Sequence, residues 1–180
     1  KQPVHFMERF MKVELMDYQK YVFMNSWHTP YCLWCMSRNG GKSVLGALFI
    51  MTKTMLIPNY SVYILAGTGA QSQELFLKIE KIAKREIASF TGLTDVFYNE
   101  TVKNVADSDG FTHNPASFKF SLYDGRNVNS LNGAYDNIRG KRSNLNFYDE
   151  AGFAPDELFE ATEPFTTQNS DFRLGGDSDA

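Results

Sequence analysis

The residues with the most chemistry in them are Ser37-Arg38-Asn39-Gly40-Gly41-Lys42-Ser43, a run of small and polar residues ending in Lys-Ser. In a phosphate-binding loop, small residues let successive backbone N–H groups converge on phosphate oxygens. The lysine ammonium reaches the β/γ-phosphates, and the hydroxyl that follows holds Mg²⁺. The first turn of the next helix adds its positive dipole end. The usual pattern G-x-x-x-x-G-K-[ST] asks for glycine where this chain has Met36, so the loop is a variant.

A phosphate loop also needs a carboxylate to position the metal and, for hydrolysis, a base to orient water. Leu145-Asn146-Phe147-Tyr148-Asp149-Glu150-Ala151-Gly152 offers both, because an apolar-tending strand ends there in two acids. The reading sets Asp149 toward Mg²⁺, shared with Ser43, and Glu150 toward the γ-phosphate as general base. Central strands are usually apolar throughout, so Asn146 must find a partner.

The elements around these motifs follow from periodicity. Tyr31-Cys32-Leu33-Trp34-Cys35-Met36 reads as the strand entering the loop, and Val44 to Met51 as the helix leaving it. That helix is expected from about Gly41 to Met55, stopped by Pro58. Upstream, Phe6 to Asn25 reads as a helical leader burying Met7, Phe10, Met11, Leu15, Tyr18, Tyr21 and Val22. Ser61 to Ala66 is a short apolar strand stopped by Gly67-Thr68-Gly69. Leu75, Phe76, Ile79, Ile82, Ala83 and Ile87 then recur at helical spacing. The opposite face of that helix holds Lys78, Lys81, Lys84 and Arg85, which could meet a phosphate backbone but read better as a solvated face. Between Thr94 and Asn132 the pieces Val96–Tyr98 and Ser117–Tyr123 suggest a β-hairpin excursion. Strands alternating with helices imply an α/β fold with a mainly parallel central sheet flanked by helices, its crevice at the carboxyl ends of the strands.

Composition sets the outer bounds. At 180 residues, 43% hydrophobic and 22% charged, the chain is expected to be one globular domain. Its apolar runs stop short of the ~20 residues that cross a bilayer and no signal-peptide layout precedes them, so no membrane partner and an intracellular setting are expected. A net charge of −3 argues against coating nucleic acid by bulk charge while leaving a local basic patch open. Cys32 and Cys35 form a C-x-x-C, but on a strand their Cα atoms would lie about 10 Å apart, beyond disulfide reach. With no second Cys pair and three scattered histidines, they read as buried structural residues. The polar stretch Gly175 to Ala180 suggests a piece of something larger.

The arginine-bearing loop, the Tyr148-Asp149-Glu150-Ala151-Gly152 strand end and the upstream Asp17-Tyr18-Gln19 together resemble the large terminase subunit of tailed bacteriophages. That protein is the ATPase that drives DNA into the capsid. The resemblance extends over nearly the whole chain, including Ile64 to Gly69 and Asn137-Ile138-Arg139-Gly140-Lys141-Arg142. It implies a P-loop NTPase of the additional-strand, catalytic-glutamate type spanning 1–180, with ATP and Mg²⁺ as cofactors. The nucleotide site would comprise Gln19, Ser37, Arg38, Asn39, Gly40, Gly41, Lys42, Ser43 and Val44. Gln19 would read adenine, since an amide can accept from N6 and donate to N7. Arg38 would contact the γ-phosphate, and Arg139 would act as a finger on a neighbouring subunit's ATP. Also implied are DNA, a portal protein and a small terminase subunit as partners, a homo-oligomeric ring, and the host cytoplasm. The coupling motif that usually follows the acidic strand is not evident before Ala180, and an RNase H-like nuclease domain would lie beyond it. Two rivals remain at this stage: an ATP-dependent helicase or translocase core, and a non-catalytic ATP-responsive interaction module.

Overall fold

The computed structural model describes residues 3–83, 111–114, 117–122, 125–131 and 141–167. A short α1 (Pro3–Phe6) runs into a π-helical turn, Met7–Met11, which ends at Lys12 in the left-handed region with φ 57°. Burial then alternates along the chain, with Met11, Val13 and Leu15 inward and Lys12, Glu14 and Met16 outward. This period of two is the mark of extended backbone. It breaks the continuous helical leader that the apolar spacing suggests. Helix α2 (Asp17–His28) follows, its start satisfied by the Met16 N–H donating to Gln19 Oε1 at 3.0 Å. It buries Phe23 and Ser26 and leaves Tyr18 and Tyr21 exposed, contrary to the expected stripe.

The segment Tyr31–Met36, expected as a strand, has no ladder pairing with the sheet. Side chains hold it instead. Trp34 Nε1 donates to Ser26 Oγ at 2.7 Å, and the indole meets Phe49 and Phe147 edge-on at 5.5 and 5.7 Å. Only Trp34 and Met36 turn toward the core, which leaves Cys32 and Cys35 exposed and free, not buried.

Helix α3 (Lys42–Leu56) matches its expected span closely and is buried from Leu45 through Thr54. Such all-round burial suits a helix enclosed by other elements. Its buried hydroxyls are satisfied internally, Thr52 and Thr54 donating to the carbonyls of Leu48 and Ile50 at 2.7 and 2.8 Å. At its carboxyl end Arg126 Nη1 donates to the Thr54 and Met55 carbonyls at 2.7 and 2.8 Å, serving acceptors that a helix end leaves without partners.

Among the described residues five strands form one mixed sheet: β1 (Ser61–Ala66), β2 (Phe111–Asn114), β3 (Ser117–Ser121), β4 (Asn127–Leu131) and β5 (Leu145–Asp149), in the order β2-β3-β4-β1-β5. β4, β1 and β5 run parallel, while β2 and β3 are antiparallel. Of the two pieces expected as an excursion, Ser117–Ser121 joins the main sheet and takes Phe111–Asn114, which the sequence pattern did not mark as a strand, as its hairpin partner; the Val96–Tyr98 piece lies outside the described residues. Alternation along β1 builds two cores. Val62 and Ile64 face α3 and α4 (Gly69–Ala83), and Leu65 packs with Leu131 and the Leu158 and Phe165 side chains of α5 (Asp156–Thr167). Helices thus flank both faces, as expected. Asn146 finds its partners, accepting from Ser143 Oγ at 2.6 Å and donating to the Thr162 carbonyl at 2.8 Å.

One buried residue works against stability. Lys53 is 9% exposed, and burial lowers its pKa from 10.5 to about 8. Its ammonium lies 4.9 Å from the Phe49 ring centre and 5.4 Å from that of Trp27, and these faces offset part of the lost hydration. Between pH 8 and 10.5 the unfolded chain holds a proton at this position that the folded chain has released, so wild-type stability gains with pH across that window. Lys53→Met should therefore raise unfolding free energy by about 1–3 kcal/mol at pH 7. The gain should shrink as pH climbs through the window. Denaturant unfolding of both proteins at several pH values measures this, and a gain independent of pH would count against a buried ammonium.

Candidate functional site

The site forms where three turns meet at the carboxyl end of the sheet. Register places Ala66, the last residue of β1, beside Asp149, the last of β5. The turns leaving these strands are consequently neighbours. The third turn is the phosphate-loop candidate, which ends at Gly41 in the left-handed region with φ 75° and continues directly into α3. Its curvature comes from Asn39, also left-handed at φ 64°, and from a Gly40 N–H to Ser37 carbonyl bond of 3.2 Å. Asparagine tolerates that conformation better than most side chains.

Helix α2 clamps this loop. Tyr18 Oη donates to the Gly40 carbonyl at 3.0 Å, and a Cβ at position 41 would stand 2.9 Å from Gln19 Nε2. Gln19 therefore lies against the loop. Its oxygen also accepts the Met16 N–H, so it holds the start of α2 as well.

Across the loop, Lys42 Nζ stands 3.8 Å from Asp149 Oδ1. The two predicted halves of the site are brought together by α3 lying on β5. Ser43 and Val44 are half-buried in the first turn of α3, while Ser37 and Arg38 are exposed at the mouth of the loop. Asp149 and Ser43 supply hard oxygen donors, one carboxylate and one hydroxyl. That set suits Mg²⁺, which keeps several waters and binds through one or two carboxylates plus substrate phosphates. Arg139 lies outside the described residues.

Glu150 follows Asp149 in the left-handed region, with φ 50° and ψ 45°, and is exposed. Its Oε2 accepts from Gln71 Nε2 at 2.7 Å. Gln71 Oε1 in turn accepts from Thr68 N at 3.2 Å and Thr68 Oγ1 at 3.1 Å. The two turns also touch directly, since a Cβ on Gly67 would meet the Phe153 carbonyl at 2.8 Å. Motif reading missed Gln71 and the Tyr18 hydroxyl. A signal for the first does exist in the sequence: Thr68-x-x-Gln71 just after an apolar strand is a helix-capping pattern. Nothing in the sequence marks Tyr18 as a clamp, because its partner is a backbone carbonyl 22 residues away.

No protein-family model and no curated protein matches the sequence. Among solved structures, the chain is similar to the large terminase ATPase domain of Thermus phage P74-26, with a TM-score of 0.68 at 17% identity over 93% of this chain. It is similar also to an arginine-to-alanine variant of that domain, with a TM-score of 0.67 at 16% identity over the same share. This chain spans 66% of the length of each. The fold is accordingly that of a terminase ATPase domain, a P-loop NTPase fold.

Gly41 meets two constraints at once, a positive φ and a close neighbour. Gly41→Ala should destabilise by about 1–2 kcal/mol through backbone strain, with a further loss from the Gln19 contact. Adding Gln19→Ala should recover the contact part only. Strictly additive losses in the double variant would show that Gln19 does not abut the loop.

Proposed function

We propose that this chain is the ATP-binding and ATP-hydrolysing motor domain of a viral terminase large subunit, powering DNA movement into a procapsid. The observation that carries the reading is the approach of Lys42 Nζ to Asp149 Oδ1 at 3.8 Å, with Glu150 next in the chain. It is supported by the fold shared with the phage terminase ATPase domain. DNA, a portal protein and a small terminase subunit would be its partners in a homo-oligomeric ring in the host cytoplasm. Among the described residues no helix is long and apolar enough to cross a membrane.

The residues divide the work as follows. Backbone N–H groups of the loop other than that of Gly40, together with the amino end of α3, receive the phosphates, with Lys42 on the β/γ oxygens. Ser43 and Asp149 would hold Mg²⁺, which supplies neutralisation of phosphate charge when bound. Glu150 takes a proton from the attacking water as its oxygen bonds the γ-phosphorus and the bond to the β–γ bridging oxygen breaks, releasing ADP and phosphate. Arg38, at the loop mouth, adds charge stabilisation on the γ-phosphate, and Gln19 faces the adenine side. A non-catalytic ATP-responsive module would not need Lys42 and Glu150 at one site.

Lys42→Ala should abolish ATP binding in titration calorimetry, and undiminished affinity would sink the assignment. Glu150→Gln should keep ATP yet lose turnover by about 10²–10⁴-fold, the worth of a positioned base. Equal loss of binding and turnover would make Glu150 structural. For Arg139 the test is a mixture of Glu150→Gln and Arg139→Ala subunits in the assembled motor. Recovered activity supports a finger acting in trans, worth about 10³–10⁵ in rate. Mixtures as inactive as their parents argue against it.

A further inference from the structure

We infer that Gln71 is a positioning residue for the base Glu150, tying the carboxylate to the first turn of α4; this rests on the proposed ATPase reading. Three features carry it. The amide is locked in one orientation, because its oxygen is held by both the backbone N–H and the hydroxyl of Thr68, leaving the NH₂ to face Glu150. Its Nε2 donates to Glu150 Oε2 at 2.7 Å, the short distance of a charge-assisted bond. The turn that carries it is itself fixed to the sheet, since the fully buried Ser72 donates from Oγ to the Leu131 carbonyl at 2.9 Å.

Glu150 needs such a guide. It stands beyond the end of β5, exposed and on a left-handed residue, so neither strand pairing nor core packing orients its carboxylate. A donor on Oε2 fixes the plane of the carboxylate and leaves Oε1 to accept the proton of water. Without the donor the side chain samples rotamers in which Oε1 points elsewhere. The consequence is a loss in the chemical step without a loss in nucleotide binding, because Gln71 touches no residue of the phosphate loop among the bonds described.

Two substitutions separate this role from the capping of α4. Gln71→Glu keeps an acceptor for Thr68, as glutamate does in capping boxes, and replaces the donor by a carboxylate oxygen that repels Glu150. Gln71→Lys keeps a donor for Glu150 and removes the acceptor. For the full 180-residue chain, Gln71→Glu should melt close to wild type and bind ATP with unchanged affinity. Its single-turnover hydrolysis should slow by about 10–100-fold, the worth of a hydrogen bond to a charged group. Gln71→Lys should melt lower yet hydrolyse faster than Gln71→Glu. Rates that follow melting temperature across both variants, or a Gln71→Glu chain as fast as wild type, would overturn the inference.

A readout independent of turnover is the Gln71 side-chain amide signal in NMR, assigned by its loss in Gln71→Glu. It should move in Glu150→Ala, and an unmoved signal would show that the bond is not made. Should Glu150→Gln hydrolyse ATP at the wild-type rate, the base reading fails whatever the amide signal does. Should Glu150→Gln be inactive and Gln71→Glu fully active, only the positioning role fails.

Discussion

The chemistry of the site depends on how closely α3 can lie on β5, and position 46 sets that distance. A Cβ on Gly46 would stand 2.8 Å from Phe147 Cζ, so the helix rests on the ring with no side chain between them. The Trp34 indole packs edge-on against Phe147 at 5.7 Å and also meets Phe49 of α3, which helps fix the ring in place. With the two elements in contact, Lys42 at the start of α3 and Asp149 at the end of β5 fall within 3.8 Å. Moving the helix outward by one methyl group would separate ammonium from carboxylate and open the Ser37–Gly41 loop away from the acidic strand end. Glycine costs helix stability, about 1 kcal/mol relative to alanine in an exposed interior. Here close packing over a buried ring offsets that cost.

The loop itself is suspended between two supports of different kinds. On its incoming side Trp34 joins a run of rings: it meets Phe49 and Phe147, and Phe49 also meets Phe23 and Trp27 at 5.1 and 5.9 Å. Offset and edge-on ring pairs add about 0.5–1.5 kcal/mol each beyond area burial. That is enough to hold a segment lacking ladder hydrogen bonds. On the other side the support is polar, through Tyr18 and Gln19 of α2. Helix α2 therefore fixes both flanks, one through Ser26 and Trp34 and the other through its first turn. A helix with so little amphipathic patterning is nonetheless well placed, because these few contacts substitute for a continuous apolar face.

How much of this was legible in the sequence depended on how local the cause was. The loop, α3, β1 and β5 could be read because each is specified by neighbouring residues: Gly-Gly-Lys-Ser, an apolar run, a strand ending in Asp-Glu. The entering strand could not, since whether Tyr31–Met36 pairs with β5 is decided by where the Trp34 ring docks, a tertiary matter. The same error carried the cysteines with it, as their predicted burial assumed a central strand. At the amino end the signal was present and misread. Met11, Val13 and Leu15 alternate with Lys12, Glu14 and Met16, a period of two hidden inside a longer stretch whose apolar spacing fits a helix. The Gln71 contact with Glu150 spans 79 residues, and only the shared register of β1 and β5 makes it possible.

That register also explains why two adjacent acids stand in different surroundings. Along β5, Leu145 and Phe147 face the core beneath α3, so the alternation of a strand turns Asp149 to the same side, toward Lys42. One residue further a regular strand would send Glu150 to the opposite face, toward α5. The chain instead turns there with φ 50°, a conformation that costs a non-glycine residue about 1–2 kcal/mol. Holding that turn are the Phe153 N–H bond to the Glu150 carbonyl at 2.9 Å and the close approach of Gly67 to the Phe153 carbonyl. The left-handed residue keeps Glu150 at the carboxyl end of the sheet, beside the turn leaving β1 and exposed to solvent. Asp149 is thereby committed to the enclosed, cation-facing side and Glu150 to the side open to water. A side-chain exchange between them would keep the composition of the pair and lose this division, because backbone geometry sets it.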